Sequence, residues 1–384
     1  MQNFAFCNPT RIVFGKGMIS ELSKLIAPAE RVLMIYGGGS IKKNGVYDQV
    51  KTALAGRKLV EFGGIQPNPL YETCMEAVDL VKKEGITFLL AVGGGSVVDA
   101  TKFIAAAAKW EAGDPWDILA KKASVQSALP IGAVLTLPAT GSEANGNSVI
   151  SRKSTQEKLA FGSEKVYPTF SILDPAVTMT LPAKQVRNGI VDAIVHVMEQ
   201  YATYPADAPL QDRQAEGILM TLFEEGPKAM ANPQDYAVRA NIVWSATQAL
   251  NMLINCGVPQ DWATHMMGHE LTAFYGVDHA ESLAIVEPAL FRLKLDKKKA
   301  KLAQYARRVW GVTEKDDAKA AEQGIAKTEA FFHSVGMKTK LADYGISPAD
   351  AARKISERFR ARGVKFGEHQ DIDADAASKI LLAC

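Results

Sequence analysis

Near residue 180 the chain changes texture, and that change constrains its fold more than any other feature of its 384 residues. Before it, short apolar runs alternate with amphipathic segments. RVLMIY (31–36), KLVEFGG (58–64), FLLAVGG (88–94), GAVLTLP (132–138) and FSILD (170–174) read as strands. YDQVKTALAG (47–56) and YETCMEAVDLVKKEG (71–85) carry apolar residues at helical spacing. Strands alternating with helices predict βαβ units and a mostly parallel sheet. The opening TRIVFGKG (10–17) would add an edge strand.

After TLPAKQ (180–185) strand-like runs all but vanish. Helices are expected over 186–203, 210–231, 234–255, 260–275, 297–310, 315–335, 348–362 and 373–383. Pro182 suits a position near the start of the first. The expected organisation is an α/β domain over 1–180 and an all-helical domain over 181–384, with no internal repeat.

Composition narrows the function classes. A formal net charge of +2 gives no global field for nucleic acid or membranes. The one dense basic run, KLDKKKAKLAQYARR (294–308), alternates with Leu, Ala and Tyr, as a solvated helix face does. No apolar stretch reaches the roughly 20 residues a membrane-spanning helix needs, and the N-terminus shows no secretory pattern. Cys7, Cys74, Cys256 and Cys384 have no paired spacing and read as free thiols, so a cytoplasmic location is expected.

Chemistry concentrates in the second half. Four of the six histidines lie between 196 and 279. Asp192 and His196 are four apart in GIVDAIVHVMEQ, so on a helix both face one side and can reach one ion. THMMGHELTAFYGVDHA adds His265, His269 and His279. A lone His in an apolar helix is usually a core residue. Burying Asp192, however, would cost several kcal/mol unless a cation met its charge. Asp192, His196, His265 and His279 together suit Fe²⁺ or Zn²⁺ better than Ca²⁺ or Mg²⁺.

The first half offers two GGGS tetrads after strands, Gly37-Gly38-Gly39-Ser40 and Gly93-Gly94-Gly95-Ser96. The second opens into a helix, where glycines and free N–H groups suit a pyrophosphate. Neither matches G-x-G-x-x-G, and a tight turn would use the same residues. The first loop carries Lys42 and Lys43 but no acid to hold a ribose 2′-OH, which favours NADP(H) over NAD(H). TLPATGSEAN (136–145) reads equally as a capping turn or as the lining of a ligand crevice.

Taken together, FGKG (14–17), GGGS-x-x-D-x-x-K (93–102), TLPATGSE (136–143) and D-x₃-H…H-x₃-H…H resemble the iron-containing (group III) alcohol dehydrogenase family over essentially the whole chain. YGGGSIKK (36–43), FGGIQPNP (62–69), VPQDWATHMMGHELTA (258–273) and DHAESLAIV (278–286) are most similar to its NADPH-dependent aldehyde reductase and butanol dehydrogenase branch. The resemblance implies a Rossmann-like N-terminal domain, a helical metal-binding domain and a homodimer. It implies a divalent metal on Asp192, His196, His265 and His279. It places the pyrophosphate near Gly94, Gly95 and Ser96, and the adenosine 2′-phosphate near Gly38 and Ser40, with Gly39 where an NAD-preferring relative has an acid. Thr136, Thr140 and Asn68 would line the cofactor cleft, Lys158 would approach the nicotinamide ribose, and Asp99 would face nicotinamide and substrate. His269 would sit beside the metal and relay a proton. Ala280 departs from the family, much of which has Gly there.

The implied reaction is hydride transfer between NADP(H) and short-to-medium-chain aldehydes or alcohols. A glycerol-type polyol dehydrogenase and a dehydroquinate-synthase-like lyase are the alternatives on this fold. The lyase would want basic residues for an anionic substrate, and the ligand segments are poor in Lys and Arg.

Overall fold

The computed structural model describes all residues, Met1–Cys384, as two compact units. The first contains Cys7–Pro182 and Pro233–Thr247. The second contains Met1–Phe6, Ala183–Asn232 and Gln248–Cys384. Two short segments therefore lie across the boundary that chain texture suggests.

The first unit is built on β1 (Arg11–Phe14), α1 (Leu22–Leu25), β2 (Arg31–Tyr36), α2 (Val46–Ala53), β3 (Lys58–Phe62), α3 (Tyr71–Glu84), β4 (Phe88–Gly94), α4 (Gly95–Ala107), α5 (Asp117–Ala120), β5 (Ile131–Leu137), β6 (Asn147–Arg152), β7 (Glu157–Gly162) and β8 (Phe170–Leu173). Six strands form one all-parallel sheet in the order β1-β8-β5-β4-β2-β3. Leu33 pairs with Leu89 and Ala91 with Ala133. Both faces are covered, so residues of either parity are apolar. Val32 and Met34 join a core with Val46 and Val50, while Leu33 and Ile35 join another with Val78 and Phe103. That is why these strands read as unbroken apolar runs. The edge strand expected at the N-terminus is β1, parallel to β8.

β6 and β7 form a separate antiparallel hairpin that the apolar runs do not announce. Ile150 and Phe161 reach the core from one side of the hairpin, and Leu159 packs against it. Strand order reverses between β2 and β4, so the loops after these two neighbours leave one edge of the sheet at a switch point, where α/β sheets bind ligands.

The remaining helices are α6 (Ala183–Tyr201), α7 (Pro209–Ala231), α8 (Tyr236–Ala249), α9 (Ala263–Tyr275), α10 (His279–Leu293), α11 (Leu295–Arg308), α12 (Asp317–Ser334), α13 (Pro348–Arg362) and α14 (Ala374–Ala383). Most of α8 belongs with the sheet unit, where Val243 packs on Leu135 and Leu173. It stops six residues short of the expected 255. Asn251 Oδ1 accepts from the Leu253 N–H at 3.1 Å, and Met252 takes φ 70°. This side-chain turn replaces the helical ladder.

α10 was not foreseen. Every residue from Ala280 to Phe291 is buried, so the helix has no exposed face to reveal its period, and Pro288 sits inside it. It packs against α6, α9, α12 and α14. No helix is long and apolar enough to cross a membrane.

Candidate metal centre and dinucleotide loops

The ligands predicted from sequence converge in the helical unit. Asp192 and His196 lie on α6, His265 in the first turn of α9, and His279 is the first residue of α10. Around Asp192 Oδ1 stand His196 Nδ1 at 3.7 Å, His265 Nε2 at 3.9 Å and His279 Nε2 at 3.6 Å. These separations exceed a hydrogen bond. They match the roughly 3.4 Å between ligands about 2.1 Å from a shared tetrahedral ion. His196 Nδ1 and His265 Nε2 are buried and make no hydrogen bond. The ligand atoms of Asp192, His265 and His279 fall within 4.8 Å of one another. The donor set thus fits a borderline divalent cation.

Burial is uneven. The Asp192 side chain is 4% exposed and that of His279 23%, so the cluster is closed behind and open beside His279. Catalytic metal sites keep such an open position. Burial pushes His196 down to about 4, keeping its imidazole neutral and able to ligate. For His265 burial acts the same way but is outweighed by the Glu199 and Asp192 carboxylates, which lift it to about 9.

Glu199 was missed in the sequence. Its Oε2 holds His265 Nδ1 in a short hydrogen bond and its Oε1 accepts from the Thr264 N–H at 2.6 Å. A carboxylate on the far ring nitrogen fixes the tautomer and aims Nε2 at the cluster. The signal was present: Asp192, His196 and Glu199 are spaced i, i+4, i+7 on one face of α6. His269 is one turn beyond His265. Its ring lies 5.4 Å from that of His279 and 6.3 Å from that of His265, beside the cluster.

In the sheet unit, β4 runs into α4 with Gly94 as N-cap and no side chain capping the helix, so first-turn N–H groups at Gly95 and Ser96 face outward for an anion. A Cβ at Gly95 would overlap the Thr140 side chain. The loop after β2, Gly37–Ser40, reaches its short helical turn through Gly39 at φ 93°. Lys42 stands 5.1 Å and 5.0 Å from the ring centroids of Tyr36 and Tyr47. Glu61 on β3 accepts from Tyr47 at 2.7 Å and from Lys51 at 3.2 Å.

Thr136 is buried on β5, and Thr140 Oγ1 accepts from the Ser142 N–H at 3.2 Å. Lys158 on β7 donates to Asn68 Oδ1 at 2.8 Å, so these two expected cofactor residues meet. Asp99 lies on α4, just after the GGGS loop. Both its carboxylate oxygens are bonded inside the unit, Oδ1 to Ser142 at 2.5 Å and Oδ2 to the Val149 N–H at 3.0 Å. Lys102 donates to Ser142, Asn145 and the Asn147 carbonyl at 2.7–3.1 Å. Burial moves both Asp99 and Lys102 toward neutrality, the amine to about 8.

Residues 9–175 match the model of the iron-containing alcohol dehydrogenase family, and residues 187–383 match that family's C-terminal model. The chain belongs to the iron-containing alcohol dehydrogenase family. Among its relatives, the NADPH-dependent aldehyde reductase YqhD of Escherichia coli is 56% identical over 99% of both chains. A probable NADH-dependent butanol dehydrogenase of Bacillus subtilis is 43% identical over 100% of both. The crystal structure of E. coli YqhD superposes with a TM-score of 0.98 at 55% identity, covering 100% of this chain and 98% of that one. The αβ-then-helical layout of this iron-containing alcohol dehydrogenase therefore has an experimental counterpart.

Proposed function

We propose that the protein is a metal-dependent, NADPH-linked alcohol dehydrogenase acting as an aldehyde reductase on short-to-medium-chain substrates. The observation that carries this reading is the ring of three imidazole nitrogens 3.6–3.9 Å from one buried carboxylate oxygen. In this reading residues 1–180 hold the dinucleotide and residues 181–384 hold the ion, Fe²⁺ or Zn²⁺, on Asp192, His196, His265 and His279. When bound, the ion supplies Lewis acidity to the carbonyl oxygen and the reduced nicotinamide supplies hydride.

The chain's residues do the rest. Gly94, Gly95 and Ser96 receive the pyrophosphate at the start of α4. Gly37, Gly38, Gly39 and Ser40 accept a 2′-phosphate without an opposing acid. The hydrogen bonds on Glu61 and the cation at Lys42 support NADPH over NADH. Thr136, Thr140, Asn68 and Lys158 line the cofactor side. Asp99, with one oxygen bonded to Ser142 and the other to the Val149 N–H, faces the nicotinamide and substrate. His269 relays the proton to the nascent alkoxide.

Anionic substrates are disfavoured at this site. The cations near His279 are matched by acids, Lys184 with Asp278 at 2.6 Å and Arg187 with Glu281 at 3.4 Å. That argues against a dehydroquinate-synthase-like lyase. We further read the protein as a cytoplasmic homodimer. Its four cysteines are free thiols, and β1 is an edge strand that a second copy could extend.

The test follows NADPH and NADH oxidation with butanal on chelator-stripped protein, before and after adding Fe²⁺ or Zn²⁺. Metal-dependent oxidation preferring NADPH is expected. Activity with NADH alone would reverse the cofactor reading, and inactivity with metal bound would reverse the reaction.

A further inference from the structure

The helix that begins with His279 also carries an acid with nothing to bond. Glu287, on α10, is 1% exposed, and neither of its carboxylate oxygens has a hydrogen-bond partner. A buried polar group in that condition is costly and calls for an explanation. Its electrostatic surroundings point to the metal centre. Burial lifts the Glu287 acid to about 8, the Glu199 carboxylate adds to that, and the His265 ring opposes it. At neutral pH Glu287 is therefore an uncharged acid whose O–H can donate.

The packing of α9 on α10 supplies a second idle group. The two helices approach closely at Gly268, where a Cβ would stand 2.8 Å from Ser282 Oγ and 3.0 Å from Leu283 Cδ2. Glu287 lies one turn beyond Leu283, and Thr264 one turn before Gly268, each on the side of its helix that makes this contact. Thr264 is wholly buried, and its Oγ1 has no hydrogen-bond partner. Its N–H donates to Glu199 Oε1 at 2.6 Å, while Glu199 Oε2 holds His265 Nδ1. A carboxylate oxygen can accept a second bond, so Glu199 still has capacity. Glu287, Thr264 and Glu199 together offer the two to four polar partners that a buried water requires.

We propose that Glu287 is a positioning residue of the metal centre: with Thr264 it closes a water-mediated hydrogen-bond chain onto Glu199 that governs how firmly His265 holds the ion. This rests on the reading of Asp192, His196, His265 and His279 as metal ligands. In the chain the Glu287 O–H donates to the water, and the water donates to Glu199 and to Thr264 Oγ1. Glu199 held in this way keeps its carboxylate on His265 Nδ1, and Nε2 stays aimed at the cluster. Glu287 acts through Glu199 and exchanges no proton with substrate.

The experiment measures Zn²⁺ affinity by chelator competition at pH 7 on the full chain. Glu287→Leu should weaken Zn²⁺ binding about 10-fold. Glu287→Gln, whose amide donates as the acid does, should bind Zn²⁺ as the wild type does. An acid merely tolerated in the core could be replaced by leucine with no change in affinity. That result, or a Glu287→Gln protein as weak as Glu287→Leu, overturns the chain. Should Glu287→Leu fail to fold, the near-isosteric Thr264→Val decides it: weakened Zn²⁺ binding supports the chain, and unchanged binding overturns it. If the wild type binds no Zn²⁺, the metal reading fails, and urea midpoints of Glu287→Leu, Thr264→Val and the double variant decide the chain alone. Shifts that do not add support a shared water, and additive shifts overturn it.

Discussion

Two buried polar clusters in this molecule look alike by composition and differ in what they do with their atoms. In the sheet unit, Asp99, Lys102, Ser142 and Asn145 spend their polar atoms on one another and on backbone, at 2.5–3.1 Å. In the helical unit, Asp192 Oδ1 and three histidine nitrogens stop at 3.6–3.9 Å, and His196 Nδ1 and His265 Nε2 make no hydrogen bond. The first cluster is closed on itself by hydrogen bonds. The second brings ligand atoms of Asp192, His265 and His279 within 4.8 Å of one another without bonding them together. Burial alone therefore does not mark a site; the separation between facing polar atoms does.

The contrast can be broken most sharply at Asp192. Asp192→Ala should remove the metal, measured by elemental analysis, and lower aldehyde reduction by about 1000-fold or more. It should leave the urea midpoint of the metal-free protein unchanged or raised, because a buried carboxylate is gone. Lys102→Met should do the opposite. It strands the buried Asp99 and costs about 3–5 kcal/mol in denaturant unfolding, with metal stoichiometry intact. A Lys102→Met protein of wild-type stability that has lost its metal would erase the distinction.

Finer tests separate residues inside the second cluster from those beside it. His269→Ala should reduce turnover by about 100-fold while the ion stays bound; loss of the ion would make His269 a ligand. Glu199→Gln should weaken metal affinity about 10- to 100-fold in a chelator competition, since it releases the His265 ring. The smallest effect concerns pH. Burial holds the Lys102 amine at about 8, below its usual 10.5. Between those values the unfolded chain carries a proton that the folded chain lacks, so wild-type stability should rise with pH relative to Lys102→Met. A stability difference that is flat from pH 8 to 10.5 would show the amine charged throughout.

What was legible in the sequence follows the same physics. Strands buried on both faces announce themselves as apolar runs, and β2, β4, β5 and β8 lie where RVLMIY, FLLAV, GAVLTL and FSIL stand, with the half-buried edge strand β3 at KLVEF. The cluster of Asp192, His196, His265 and His279 was legible because Asp and His are rare in apolar helices. α10 was not, because a helix buried on all sides has no exposed face to set a period. Nor was the early end of α8, which depends on the Asn251 side chain bonding its own backbone. Glu199 shares a face with Asp192 and His196, yet a glutamate in VMEQY signals nothing until the Thr264 N–H and the His265 ring are seen to meet it.

The interleaving of the two units bears on how such a chain can be made. The sheet unit takes in Pro233–Thr247, and the helical unit takes in Met1–Phe6, where the Gln2 N–H reaches the Gly257 carbonyl at 2.8 Å. On the ribosome, the first six residues must wait for a partner made some 250 residues later, and the sheet must wait for α8. Units that fold one after another during synthesis cannot do so here. A gene divided between Pro182 and Ala183 would encode two fragments, and neither would contain a whole unit.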